Sequence, residues 1–163
     1  MAGIQDDDDE LPGDGRPPLS PSARSSARMG MGEVETVASG LLHCRVAGYV
    51  RLAHAEPIIF AANNEIRRGF RPMVFVDADD VHGYEVQVRL VFQTWAQRNR
   101  DSIEGVWVLY RSALVKMGVG LAQAFTGGVI RGYGSTEEFD RALAEATTRA
   151  RSGGLRQAQP SSS

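Results

Sequence analysis

A chain of 163 residues and 17.7 kDa has room for one domain, and its 42% hydrophobic content is ordinary for a globular protein. Its 18 Lys and Arg stand against 20 Asp and Glu, a formal net charge of −2, which supplies no electrostatic footprint for nucleic acid. Cys44 is the single cysteine, so an intrachain disulfide and a zinc site built on several thiolates are both excluded, and a reducing cytoplasm is the expected compartment.

Met1-Ala2-Gly3-Ile4-Gln5 runs into acidic residues and lacks the basic start and apolar run of a secretory signal, so export by that route is not expected. The long apolar candidate Ala113–Ile130 is interrupted by Lys116, Gln123 and several glycines, which argues against a membrane span. Residues 1–30 are rich in Pro, Ser, Gly and Asp and poor in aliphatics, and read as a disordered tail. The acidic block Asp6-Asp7-Asp8-Asp9-Glu10 within it reads as a solvated, solubilising stretch, with docking to a basic partner as the alternative. Residues 151–163 are similarly apolar-poor and read as a fraying tail, which leaves 31–150 for the folded domain.

Val34–Val37 and Leu42–Val46 alternate apolar and polar residues around Ser39-Gly40, the pattern of a hairpin at a sheet edge. Pro57 suits the first turn of a helix bearing Ile58, Ile59, Ala62 and Ile66, which Gly69 ends. Met73-Val74-Phe75-Val76 reads as a buried strand closing on Asp77-Ala78-Asp79-Asp80, followed by a loop Asp80-Val81-His82-Gly83. Tyr84, Val88, Val91, Phe92 and Trp95 then fall on one face of a helix, with Glu85, Arg89, Gln93 and Gln97 opposite.

Gly105–Arg111 is a second buried strand. Ser112 caps a helix on which Leu114, Met117, Gly118, Leu121 and Phe125 share an apolar face, and Gly127-Gly128 ends it. Val129–Tyr133 forms a last strand, and Ser135 with Glu138 makes a capping box for a helix bearing Phe139, Ala142, Leu143 and Ala146. The order β-β-α-β-α-β-α-β-α predicts an α/β fold, a mixed, mostly parallel sheet of about five strands flanked by four helices.

Ligands of open α/β sheets bind beyond the carboxyl ends of the strands. That edge would carry Asp77, Asp79 and Asp80 after one strand and Arg111 and Ser112 after the next, and the plain reading is a salt bridge between Asp77 and Arg111. An apolar strand running into Asp-x-Asp also resembles the start of haloacid-dehalogenase-like phosphatases. There Asp77 would be the nucleophile, Asp79 the general acid/base, Ser112 the phosphoryl-holding hydroxyl and Lys116 the neutralising lysine. The last strand lacks the following acidic pair that would complete a magnesium site, which makes this the weakest reading.

His82 beside Asp79 and Asp80 reads as a solvated loop and not as a metal site. His43 and Cys44 are neighbours on a strand and point to opposite faces, so they form no nucleophile and base pair. Met117-Gly118-Val119-Gly120 lies inside a helix, where small residues permit close packing.

Arg111–Val119, then Gly127-Gly128 and Ile130-Arg131-Gly132-Tyr133, with the preceding block from Asp77 through Trp95, Ile103 and Val106–Leu109, resemble small bacterial STAS-domain proteins similar to anti-sigma-factor antagonists. The resemblance covers roughly 33–146. It implies a non-catalytic, cytoplasmic module that needs no cofactor and works by contact with another protein, such as a regulatory kinase or an anti-sigma-like factor. The alternative it implies is a small-ligand or lipid-binding domain. The regulatory members carry a phosphorylated Ser that by position would fall near His82–Glu85, yet 77–93 contains neither Ser nor Thr. The expected binding surface is Asp79, Asp80, His82, Tyr84, Arg111, Ser112 and Lys116, and no metal is expected.

Overall fold

A computed structural model of the protein describes residues 31–156; the expected N-terminal tail, with its acidic block, and residues 157–163 lie outside the described residues. The hairpin β1 (Met31–Ala38) and β2 (Leu41–Val50) is followed by α1 (Leu52–Arg67), β3 (Met73–Ala78), β4 (Val81–Tyr84) and α2 (Val86–Arg98). Then come β5 (Gly105–Tyr110), α3 (Ala113–Thr126), β6 (Ile130–Tyr133) and α4 (Thr136–Arg151). The sheet order is β1-β2-β3-β5-β6, antiparallel only between β1 and β2, with β4 also paired to β2. The α/β reading, the mostly parallel sheet and its four helices are therefore observed, with six strands in place of about five.

The additional strand is β4, which the sequence reading takes as a loop. It runs parallel to β2, with Gly48 opposite Val81 and Val50 opposite Tyr84, so it resumes the line of β3 along β2 after the turn at Asp79-Asp80. A four-residue strand of Val-His-Gly-Tyr has too little apolar pattern to be read locally; its pairing partner, ten residues of β2, makes it a strand.

Alternation along the strands divides the core. Leu42, Cys44, Val74, Val76, Val106 and Ile130 face α1, α2 and α3, while Leu41, Met73, Phe75, Trp107 and Leu109 face α4. The α4 side is filled by large rings: Phe75 stacks on Trp107 at 5.1 Å and meets Phe139 edge-on at 5.5 Å. Leu155 closes that side, fully buried, and its carbonyl accepts a 2.7 Å bond from Arg71 N–H. The reading of 151–163 as fraying thus fails as far as Arg156, because one large apolar residue near the end of an otherwise polar stretch is enough to seat it.

Helix α1 begins one turn earlier than Pro57 suggests. Its first turn is held from outside by Glu85 Oε2, which accepts from Leu52 N–H at 3.0 Å, and from within by its own His54, whose Nδ1 accepts from Arg51 N–H at 3.0 Å. Glu85 thereby satisfies an amide that the local sequence leaves open. Near its other end Glu65 is buried, 4% exposed, and its two oxygens accept from Gly40 N–H at 2.7 Å and from Arg68 Nη1 at 2.6 Å. Gly40 itself sits at φ +79°, with Leu155 and Phe70 pressed against the place a Cβ would take. The clasp ties the hairpin turn to the helix.

Two outcomes follow from this packing. Glu65→Ala leaves the Gly40 amide buried without an acceptor and should cost about 1–3 kcal/mol in urea unfolding; an unchanged midpoint would show that the clasp contributes nothing. Cys44 is fully buried, and burial pushes its thiol up to about 12 from 9.0. Because the unfolded chain loses this proton first, the thiol's contribution to stability is fully present below pH 9 and is lost as pH rises from about 9 towards 12, at roughly 1.4 kcal/mol per pH unit. Relative to Cys44→Ala, the wild type should therefore lose stability faster over that window, and parallel pH profiles would contradict it.

Candidate functional site

The carboxyl edge is set by strand register. Asp77 pairs with Leu109 and Ala78 with Tyr110, so the next two residues, Asp79 and Arg111, emerge side by side. Arg111 Nη2 lies 2.6 Å from Asp79 Oδ2. The expected bridge to Asp77 is therefore replaced by one to Asp79. Asp77 is opposite Arg45 on β2 and lies 4.0 Å from its Nε, while its Oδ1 accepts from Asp79 N–H at 3.1 Å. With the Arg111 side chain 74% exposed, its bridge contributes no more than about 1 kcal/mol and serves to join the ends of β3 and β5.

Ser112 is the N-cap of α3, its Oγ accepting from Val115 N–H at 3.2 Å, and Lys116 is exposed one turn further on. Asp79, Arg111, Ser112 and Lys116 thus share one end of the sheet. Asp80 stands exposed in the turn, with its carbonyl accepting from Gly48 N–H, while His82, exposed, and Tyr84, half-buried, are carried away along β4. Among the described residues no group of three or more His, Cys, Asp or Glu side chains is placed to hold a metal ion. Of the phosphatase-like set, Asp79 is ion-paired and the Ser112 hydroxyl is engaged in capping.

The feature missed by periodicity is the direction in which α3 faces. Its buried row is Val115, Gly118, Ala122 and Thr126; the larger Leu114, Met117, Leu121 and Phe125 point outward, 42%, 60%, 44% and 61% exposed. Gly118 of the expected apolar face is thus buried, and the other four are not. The helix is apolar almost all round, so spacing alone could not choose between the two rows. Small residues won because they bring the helix close: a Cβ on Gly118 would stand 2.1 Å from Tyr84 Oη and 2.9 Å from Cζ. At its carboxyl end Thr126 Oγ1 donates to Ala122 O and accepts from Ile130 N–H, tying the helix to β6.

On the neighbouring helix α2, Val86 and Leu90 are exposed as well. Neither α2 nor α3 carries a single Asp or Glu; their charges are Arg89, Arg98 and Lys116. That run without acids, over 86–98 and 113–126, is the signal by which the sequence could have disclosed this surface.

Beneath α3 lies a cavity of about 120 Å³ between the sheet and helices α1, α2 and α3. Its wall is almost wholly apolar, made chiefly of Val and Ala from the strands and the three helices. The lining residues that still reach solvent include Tyr84, Arg89, Phe92 and Val119, so the way in runs between α2 and α3. Arg89 Nη1 donates to Gln93 Oε1 at 3.3 Å, which keeps its charged head turned to a neutral partner on its own helix.

The contact between Tyr84 and Gly118 is testable by a double-mutant cycle. In a Tyr84→Val background, Gly118→Ala should stabilise by up to about 1 kcal/mol, the helix-propensity gain; in the wild type the clash should cancel or reverse that gain. Equal effects in both backgrounds would rule the contact out.

No family model matches the sequence, and no curated protein matches it. Solved structures do resemble the fold. A protein of the DUF3478 family with a SpoIIAA-like fold from Shewanella loihica superposes with a TM-score of 0.52 at 11% identity, over 72% of this chain and 98% of its own. The Bacillus cell fate determinant SpoIIAA, in its phosphorylated form, gives 0.50 at 17% identity, over 69% of this chain and 99% of its own. Among the described residues no helix is long and apolar enough to cross a membrane. At these identities the likeness is one of fold, and the chain folds as a SpoIIAA-like, STAS-like α/β domain.

Proposed function

We propose that the chain is a non-catalytic regulatory module that binds another protein through α3, the adjoining α2 and the carboxyl edge of the sheet. The observation that carries this reading is the outward row Leu114, Met117, Leu121 and Phe125, a contiguous apolar surface of a kind that soluble domains cover with a partner. It is continuous with Ser112 and Lys116 at the start of α3 and, through the strand ends, with Arg111 and Asp79. Asp80 stands exposed in the turn after β3, while His82 and Tyr84 lie further along β4, with Tyr84 against the inner side of α3.

The partner should present an apolar patch rimmed by carboxylates, because the charges on α2 and α3 are all cationic. The likeness to SpoIIAA, a Bacillus cell fate determinant, supports a regulatory role of this kind. A phospho-switch at the start of α2 is not part of the proposal: its N-cap is Glu85, whose carboxylate is already engaged with Leu52 N–H, and 77–93 holds no Ser or Thr. Arg111 held by Asp79 and Ser112 engaged in capping likewise favour binding over the phosphatase reading.

The test is capture from lysate of the source cell, identification of the captured protein, and titration of the purified pair. Met117→Glu and Phe125→Glu, both at exposed positions, should melt as the wild type does and bind at least about tenfold more weakly, about 1.4 kcal/mol. Arg111→Ala with Lys116→Ala should weaken the complex and flatten its salt dependence, while Arg141→Glu on α4 should not. Equal binding by all variants would overturn the proposal. So would sedimentation showing that the isolated wild type self-associates through this face while Met117→Glu is monomeric.

A further inference from the structure

We infer that the cavity under α3 is a binding site for one small, uncharged, apolar molecule, of the size of a single aromatic ring or a short branched hydrocarbon. This goes beyond the protein-binding role and rests on a different part of the molecule. The two faces of the sheet are packed on opposite plans. The α4 side is filled by Phe75, Trp107 and Phe139, whereas the other side presents Val46, Val76, Val106, Val115 and Ala122 around open space.

The space does not arise from a shortage of large residues. Leu114, Met117, Leu121 and Phe125 belong to the helix that roofs it and point away from it. A fold that leaves this apolar space open while turning the large side chains of its roof outward has the form of a receptor.

The chemistry of the occupant follows from size and lining. An apolar cavity of about 150 Å³ excludes water and takes up benzene or xenon, and this one, at about 120 Å³, is of the same order. Pockets for drug-sized ligands run from about 300 Å³ upward, so a two-chain lipid is too large to be enclosed here. A charged or strongly hydrogen-bonding molecule would lose its water against valine and alanine without replacement. Entry passes between α2 and α3, where Tyr84, resting on Gly118, and the stem of Arg89 border the opening.

The experiment is a titration of the full chain, ¹³C-labelled at valine methyls, with benzene up to its solubility in water. Methyl resonances of Val46, Val76, Val106 and Val115 should shift saturably, and the melting temperature should rise with benzene concentration. In Ala122→Leu, whose added atoms enter the cavity, the saturable shifts should vanish while the spectrum stays that of a folded protein. Should that variant not fold, Val106→Ile, larger by one methylene, should weaken benzene binding about fivefold or more. Absence of saturable shifts in the folded wild type, or undiminished shifts in the filled variant, would overturn the site. Neither result depends on whether a partner protein binds the outer face of α3.

Discussion

The absence of a side chain at Gly118 is the constraint on which the functional half of this protein depends. It lets the ring of Tyr84 lie against α3, and so lets β4 run beside β2 directly under the helix. With Val115, Ala122 and Thr126 completing the inward row, α3 meets the sheet through small atoms. Close approach of this kind rewards dispersion contact with the backbone more than burial of large side chains. The consequence is geometric: the bulky residues of the same helix have nowhere to go but outward.

The two layers of the domain divide the work accordingly. On the α4 side, stacked and edge-on rings give a dense, well-packed core, closed by Leu155 from the end of the described chain. On the other side the strands carry chiefly valine, with Leu42, Cys44, Ala78 and Ile130, and the helices lie over them without filling the space between. The aromatic layer packs ring against ring and the Glu65 clasp holds the hairpin turn, while the opposite layer, though it buries many residues, encloses a cavity and carries an apolar exterior. Both proposed functions, the protein contact and the small-ligand site, lie on the side that packing has left incomplete.

At the carboxyl edge, charge placement is a matter of register. The parallel pairing that sets Asp77 beside Leu109 also sends Arg111 to Asp79 and leaves Asp77 to Arg45 across β2. None of these pairs is buried enough to contribute much to stability. What they supply is position: the ends of β3 and β5 are held together beside the first turn of α3, so the polar edge and the apolar helix face form one continuous surface.

The sequence by itself determined the class of fold, the hairpin, the buried strands, the caps of α3 and α4 and the glycine stops, because each rests on local propensity or on a short-range period. It also showed that Cys44 and His43 could not act together, since neighbours on a strand face opposite ways. Tertiary structure alone decided which row of α3 is buried, because both rows are made of apolar or small residues, and the choice fell to Tyr84 on a strand thirty-four residues earlier. It decided that Val81–Tyr84 is a strand, that Glu85 serves α1 as well as α2, and that Leu155 is core, since each of these has its partner far along the chain. The outward apolar face and the cavity beneath it are products of that same long-range packing: the residues are plain in the sequence, but the direction in which they point is set by what they meet.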